Sequence, residues 1–295
     1  MDWLQRMNGA ISYIEDNLTE EIDYEVAAEI ACCSVYHFQR LFSFIVEIPL
    51  SEYIRRRRLT LAAFDLQGSS VKVIDIALKY GYDSPEAFAR AFQKLHGITP
   101  TTSRSQGVSL KTYPRISFQI SIKGVEEMNY KIVEKEAFSI FGVESIVTTE
   151  NGENLRQIPE IWTKAFAEGT IDRIIGELDQ PISSSGISPV NAVMCYRETG
   201  GMTFPYMLYA NMPLGGAPEG YTSVAIPALT WVIFTTVEYT KDQTTEQVQS
   251  LWKRIFSEWF PIANYEQVHG PQFEIYGTAE SGREYCEVWI PVMKK

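Results

Sequence analysis

Histidine and cysteine are scarce in this chain, with three and four residues among 295. Cys32 and Cys33 are adjacent, Cys195 and Cys286 stand alone, and no C-x-x-C pair exists. The usual zinc spacing is therefore excluded, and neither a metal nor a cofactor is expected. So few thiols in so long a chain do not make a disulfide framework, and they read as reduced cysteines of a cytoplasmic protein. His37, His96 and His269 form no Ser/His/Asp or Cys/His constellation. The stretch Met1–Leu18 lacks the basic and apolar regions of a signal peptide. No apolar run reaches ~18 residues, so no membrane span is expected. Positive charge is also in deficit, with 26 basic against 37 acidic residues and a net charge of −11. Taken alone, that balance argues against nucleic-acid binding, which needs cationic surface. What remains is 45% hydrophobic and 21% charged residues, the balance of a globular protein. At ~100–200 residues per domain, the length fits two domains.

The chain changes character near residue 108. Before it, Trp3, Met7, Ile11, Ile14 and Leu18 recur every three or four positions, the mark of one buried helix face. Pro49, Pro85 and Pro100 sit at or near expected helix starts. After it, alternation appears, as in Ile116–Ile122, and period two predicts a half-buried strand there. Frequent Pro, Gly, Tyr and Trp then suit α+β structure.

A repeat at an offset of fifty residues organises the first part. Ala27/Ala77, Ser34/Ser84, Phe38/Phe88, Arg40/Arg90 and Phe42/Phe92 coincide. The small alanines let helices approach closely. The serines are expected as N-caps. The phenylalanines, four apart, share a buried helix face, and the arginines lie on another. A short helix, a turn and a capped helix make a helix-turn-helix, here in two copies. Between the copies, Pro49 to Gln67 reads as one helix of nineteen residues, which at 1.5 Å rise spans roughly 29 Å. Successive major grooves lie ~34 Å apart on one DNA face. The connector also carries Arg55-Arg56-Arg57-Arg58.

Ser51–Arg104 resembles the DNA-binding domain of AraC/XylS-type transcription regulators. The matching pieces are Tyr53-Ile54, Arg58-Leu59, Ala62, Leu66, Ile74-x-Ile76-Ala77, Gly81-Tyr82, Ser84, Phe88-x-Arg90-x-Phe92, His96-Gly97-Ile98-Thr99-Pro100 and Arg104. Asp65 stands where an apolar residue is usual, and Thr102-Ser103 replace a usual aromatic. The resemblance implies base reading by an exposed face on each second helix. The first such face would hold Tyr36, Gln39 and Arg40, and the second Pro85, Glu86, Ala87 and Arg90. The first is richer in hydrogen-bond donors and is expected to carry most specificity. Arg55, Arg56 and Lys94 are candidate phosphate contacts, while Arg58 is expected to pack inside the domain.

A second repeat follows. Ala137–Glu144 and Thr230–Glu238 read as strands of the same texture, followed by helices around Ile161–Phe166 and Leu251–Phe256. Strand pairs are expected at 187–198 and 203–212, and again at 268–278 and 285–293. Two β-α-β-β units can pair into one twisted sheet with both helices on one face and a cleft on the other. This half resembles the GyrI-like effector-binding domain, through Ile116-Ser117-Phe118, Met128-Asn129-Tyr130-Lys131-Ile132 and Glu287-Val288-Trp289-Ile290-Pro291-Val292. Alternation in the last strand puts Tyr285, Glu287 and Trp289 on one face and Cys286, Val288 and Ile290 on the other. A carboxylate between two aromatics suits an organic cation. Aligning the repeats on Pro213 and Pro291 sets Tyr209 opposite Glu287. Tyr206 and Trp231 are further candidates for the effector pocket.

The expected fold is thus multidomain: an all-α double helix-turn-helix domain at 1–108, a linker at 109–127 and an α+β effector-binding domain at 128–295. The expected function is sequence-specific regulation of transcription, with double-stranded promoter DNA, a small apolar or cationic effector and RNA polymerase as partners and no membrane. Two alternatives stand beside it. Some GyrI-like domains are similar to hydrolases, in which Glu287 would act as general base and Tyr209 would orient a water. Alternatively, the second half binds a protein. Residues 1–108 hold 11 basic and 14 acidic residues, and 109–295 hold 15 and 23. DNA binding would therefore rest on a few placed cations, with a modest salt slope.

Overall fold

The computed structural model describes residues 3–119, 127–179 and 186–295. It divides into two units, Met1–Phe38 with Val46–Gln119, and Gln39–Ile45 with Ile120–Lys295.

The first unit is helical: α1 (Trp3–Asp16), α2 (Tyr24–Ile30), α3 (Val35–Val46, whose residues from Gln39 to Ile45 group with the second unit), α4 (Leu50–Gly68), α5 (Val73–Lys79) and α6 (Pro85–His96). Met7, Ala10, Ile11 and Ile14 form the buried stripe of α1. The connector helix α4 is nineteen residues long. Its Leu59, Ala62, Ala63 and Leu66 pack with Ile76, Ala77 and Tyr80, and with Phe88, Phe92 and Leu95 of α6. The repeat pairs Ala27/Ala77, Phe38/Phe88 and Phe42/Phe92 are all fully buried. Helix α6 is bounded at both ends. Ser84 Oγ accepts from Ala87 N at 3.1 Å, Pro85 occupies the first turn, and Gly97 closes the helix at φ 83. Ser34 departs from the repeat, because its buried hydroxyl has no hydrogen-bond partner among the described residues. Arg58 packs internally as expected, donating to the carbonyls of Leu18 and Glu20. Gly81 sits beside it at φ 78, where a Cβ would lie 2.9 Å from the guanidinium. The two family departures have local explanations. Asp65 accepts from Lys79 and from the Tyr80 hydroxyl. Ser103 is buried and donates to the Pro100 carbonyl, while Arg104 donates to the carbonyls of Ser69 and Val71.

The expected boundary at 108 is corrected. The segment to Gln119 belongs to the helical unit. It is not strand: Ile116 N donates to Tyr53 Oη, and Asn8 pairs with both the N–H and the carbonyl of Phe118. Backbone groups that a strand would pair with another strand are paired instead with side chains of α1 and α4. Ile120–Ile122, the rest of the expected strand, lie outside the described residues.

The second unit is an antiparallel sheet with helices. Its elements are β1 (Asn129–Lys135), β2 (Phe138–Thr148), α7 (Asn154–Ala167), α8 (Thr170–Gly176), β3 (Asn191–Met194), β4 (Thr203–Asn211), β5 (Thr222–Ile226), β6 (Leu229–Thr235), α9 (Thr244–Arg254), β7 (Tyr265–Gln267), β8 (Gln272–Thr278) and β9 (Glu284–Lys294). The sheet order is β1-β6-β9-β8-β3-β4-β2-β5, with β7 beside β9. The two expected units are β2-α7-β3-β4 and β6-α9-β8-β9. They join where β3 pairs β8, with Val193 opposite Phe273. Strand β3 is shorter than expected, because Cys195 adopts φ 61 and breaks the extended run. The paired tryptophans of the repeat do equivalent work. Trp162 Nε1 donates to Tyr206 Oη and Trp252 Nε1 to Glu274 Oε1, both at 2.8 Å. Those contacts define the helix-covered face of the sheet.

Candidate functional sites

Helix α6 presents a polar face to solvent. Glu86, Arg90 and Lys94 recur every four residues and are all exposed, while Phe88, Phe92 and Leu95 on the opposite side are buried. Pro85 and Ala87 are half-buried at the start of the same helix. The equivalent face of α3 differs, which corrects the expectation that Tyr36, Gln39 and Arg40 stand in solvent: they are 2%, 6% and 4% exposed. Gln39 and Arg40 belong to the second unit. There Gln39 Oε1 accepts from Thr149 Oγ1 at 2.7 Å, and Arg40 Nη1 donates to Gln272 Oε1 at 2.9 Å. The Arg40 guanidinium also lies 4.5 Å from the Trp252 ring. Arg55 and Arg56 are half-buried and share Glu52, which accepts from both at 2.7 and 2.5 Å. Glu52 loses solvation on burial, yet the two arginines hold its carboxyl below the usual range.

The face of the sheet opposite α7 and α9 carries a largely buried aromatic cluster around Phe273. Tyr209, Trp231 and Phe138 have ring centroids 5.3, 5.4 and 5.9 Å from it, and Trp289 lies at 6.3 Å. Register explains the gathering. Phe273 pairs with Trp289 on one side and Val193 on the other, and Trp289 pairs with Ile233. A cavity of about 900 Å³ opens beside this cluster. Phe138, Tyr209, Phe273, Ile275 and Trp289 line it, together with Lys135 and the acidic Glu134, Glu136 and Asp179. That volume is ample for a drug-sized molecule. Burial pushes the Tyr209 phenol up in pKa.

The remaining candidates are distributed differently. Glu287 and Trp289 share a face, as alternation predicted, but Glu287 is not among the residues lining the cavity. Its carboxylate takes Lys131 Nζ at 3.0 Å and Trp289 Nε1 at 2.8 Å. Tyr285 lies against Gly277, where a Cβ would come within 2.4 Å of its ring. It too is absent from the lining. Trp231 is fully buried behind the cavity. Tyr206 is corrected outright: it points to the helix-covered face and is bonded to Trp162. Sequence reasoning missed Phe273, Phe138, Lys131 and Lys135. The alternation of Phe273 and Ile275 along β8 was a usable signal. The two lysines, four apart on a strand, share a face, but only the register brings that face to the cleft. Among the described residues no group of three or more His, Cys, Asp or Glu side chains could hold a metal. No helix there is long and apolar enough to cross a membrane.

Comparison with known proteins follows the same division. Residues 131–292 match the family described as integron-associated effector binding protein, and residues 27–106 match a helix-turn-helix domain family. The HTH-type transcriptional activator AarP of Providencia stuartii is 46% identical over 92 residues, which are 31% of this chain and 68% of that protein. The regulatory protein SoxS of Salmonella typhimurium is 33% identical over 104 residues, 35% of this chain and 97% of that protein. Among solved structures, the integron cassette protein VCH_CASS2 from Vibrio cholerae is 15% identical with a TM-score of 0.36, covering 56% of this chain and 95% of that one.

Proposed function

Because this chain belongs to the AraC-type helix-turn-helix transcription regulators and, through residues 131–292, to the integron-associated effector binding proteins, we propose that it is a one-component switch. In this reading the helical unit binds promoter DNA, and the cleft beside Phe273 binds a small lipophilic cation. The observation that carries the DNA half is the solvent-facing side of α6, where Arg90 and Lys94 stand exposed on a helix fixed at both ends. Arg90 has the fork to pair with a guanine edge. Lys94, two turns from the helix start, is suited to a phosphate. Arg55 and Arg56 remain phosphate candidates, but each would have to leave Glu52 to serve. The donor-rich face of α3 is buried, so α6 carries the base reading in this proposal. The test is a mobility-shift titration of the full chain on the DNA upstream of its own gene. Arg90→Ala should cost about 1–3 kcal/mol and relax base preference. Equal affinity of wild type for that DNA and for random duplex would sink the reading.

For the cleft, aromatic walls and three acidic residues against one lysine favour an apolar cation. Effector binding then shifts transcription only through differential affinity for two states of the protein. Contact with RNA polymerase is part of the proposal, in keeping with a relative that is a transcriptional activator. A cytoplasmic location goes with that role. A hydrolase is not favoured. Both Glu287 oxygens are already engaged by Lys131 and the Trp289 indole, and of the relatives AarP is a transcriptional activator and SoxS a regulatory protein.

A further inference from the structure

The cleft already contains a cation of its own. Lys135 Nζ sits 4.6 Å from the centroid of the Trp289 ring, and both residues line the cavity. An ammonium over an indole face is the arrangement that a cationic ligand would seek. Strand β1 also supplies Lys131, which takes Glu287 outside the lining. The two lysines are four residues apart on a strand that, among the described residues, pairs only with β6 at the sheet edge. One edge strand thus pairs Glu287 outside the lining and covers the aromatic face inside it that a ligand cation would use. The Lys135 side chain is half-buried and lies over the ring rather than being locked in the core. It can swing away at the expense of one cation–π contact, which is weak when partly exposed.

We propose that Lys135 is a specificity-determining residue of the cleft, a tethered cation that an incoming organic cation has to displace from the Trp289 face. The consequence is a threshold. Strongly hydrated cations, which gain little from the indole, do not displace it. Lipophilic cations with enough aromatic surface to use Phe138, Tyr209 and Phe273 do. The inference rests on the reading of the cleft as a cation site, and its test separates the two.

The experiment is a tryptophan-fluorescence titration of the full chain with tetraphenylphosphonium and, as the neutral probe of similar shape, triphenylphosphine oxide. Lys135→Met should tighten phosphonium binding by about three- to tenfold, from removal of the competing contact and the like charge. The neutral probe should gain less. Lys135→Arg, which keeps the cation, should bind phosphonium as wild type does, and Lys135→Gln should follow Lys135→Met. Phosphonium affinity that is unchanged or weakened in both Lys135→Met and Lys135→Gln overturns the proposal while leaving the cation reading intact. Binding of the neutral probe alone, by wild type and variants, overturns both.

Discussion

Two buried side chains show how a residue's surroundings set its chemistry. His96 is 5% exposed, with Nε2 3.2 Å from the Leu59 carbonyl and Nδ1 without a partner among the described residues. Burial lowers its pKa, outweighing the Leu59 carbonyl, which raises it; Lys111 lowers it slightly further. The unfolded chain therefore takes up this proton first. The stability that comes from keeping His96 neutral is complete above the unfolded value, ~6.5, and is lost as pH falls below it. His96→Gln, which keeps a donor for Leu59, should remove that dependence. The check is thermal melting of wild type and variant at about pH 7.5 and about pH 5.5: wild type should lose more on acidification than the variant. Arg57 is the opposite case. It is paired with Glu15 at 2.8 Å, hydrogen-bonded to the Tyr113 carbonyl, and held charged mainly by the Glu15 contact. The Arg run of the sequence thus splits by partner, with Arg57 and Arg58 bonded to α1 and the loop after it and the half-buried Arg55 and Arg56 bonded to Glu52 of their own helix.

Among the elements, the repeated helices show what one motif can and cannot impose. α6 begins at a serine whose hydroxyl caps Ala87 N, whereas Ser34 at the matching position of α3 caps nothing. Ser84→Ala should cost about 1 kcal/mol in thermal or denaturant unfolding, the usual worth of a serine cap. Ser34→Ala should be neutral or slightly stabilising, since it removes an unpaired buried hydroxyl. Equal losses at the two sites would contradict the cap geometry. Strands carry the same lesson. Alternation along β9 sorted Cys286, Val288 and Ile290 into the core and Trp289 to the cleft, because period two is a property of the strand itself. It could not find Phe273 as the hub of the cluster. That position follows from β3 pairing β8, a contact between residues eighty apart in sequence. Nor did alternation distinguish the true strands from Ile116–Gln119, whose backbone is bonded to Asn8 and Tyr53 side chains.

For the whole molecule, net charge bears on how DNA is bound. The chain carries −11, and the exposed cations of α6 are few. Binding to non-specific DNA should be weak, and log Kd should vary with log salt at a slope of only a few, each phosphate contact contributing about 0.9. Lys94→Ala should lower that slope by about one without altering base preference. Filter binding across a salt series would measure both. A slope near ten, as expected for a broad cationic surface, would show that the acidic balance does not limit contact.

By itself, the amino-acid order determined the two-part organisation, the double helix-turn-helix and the duplicated β-α-β-β plan. Helix periodicity, strand alternation and turn residues are local properties, and repetition at fixed offsets makes them legible. Tertiary structure decided what matching positions do. Arg40 and Arg90 are equivalent in the repeat, yet Arg40 is buried against Gln272 and Trp252 while Arg90 faces solvent. Tyr206 and Tyr209, an odd spacing apart on β4, face opposite sides as period two requires, but packing alone made Trp162 the partner of one and set the other against the cavity. Lys135 became a cleft residue only when β1 took the sheet edge. Exposure, partner and distance depend on which distant segment packs alongside, and no local period encodes that.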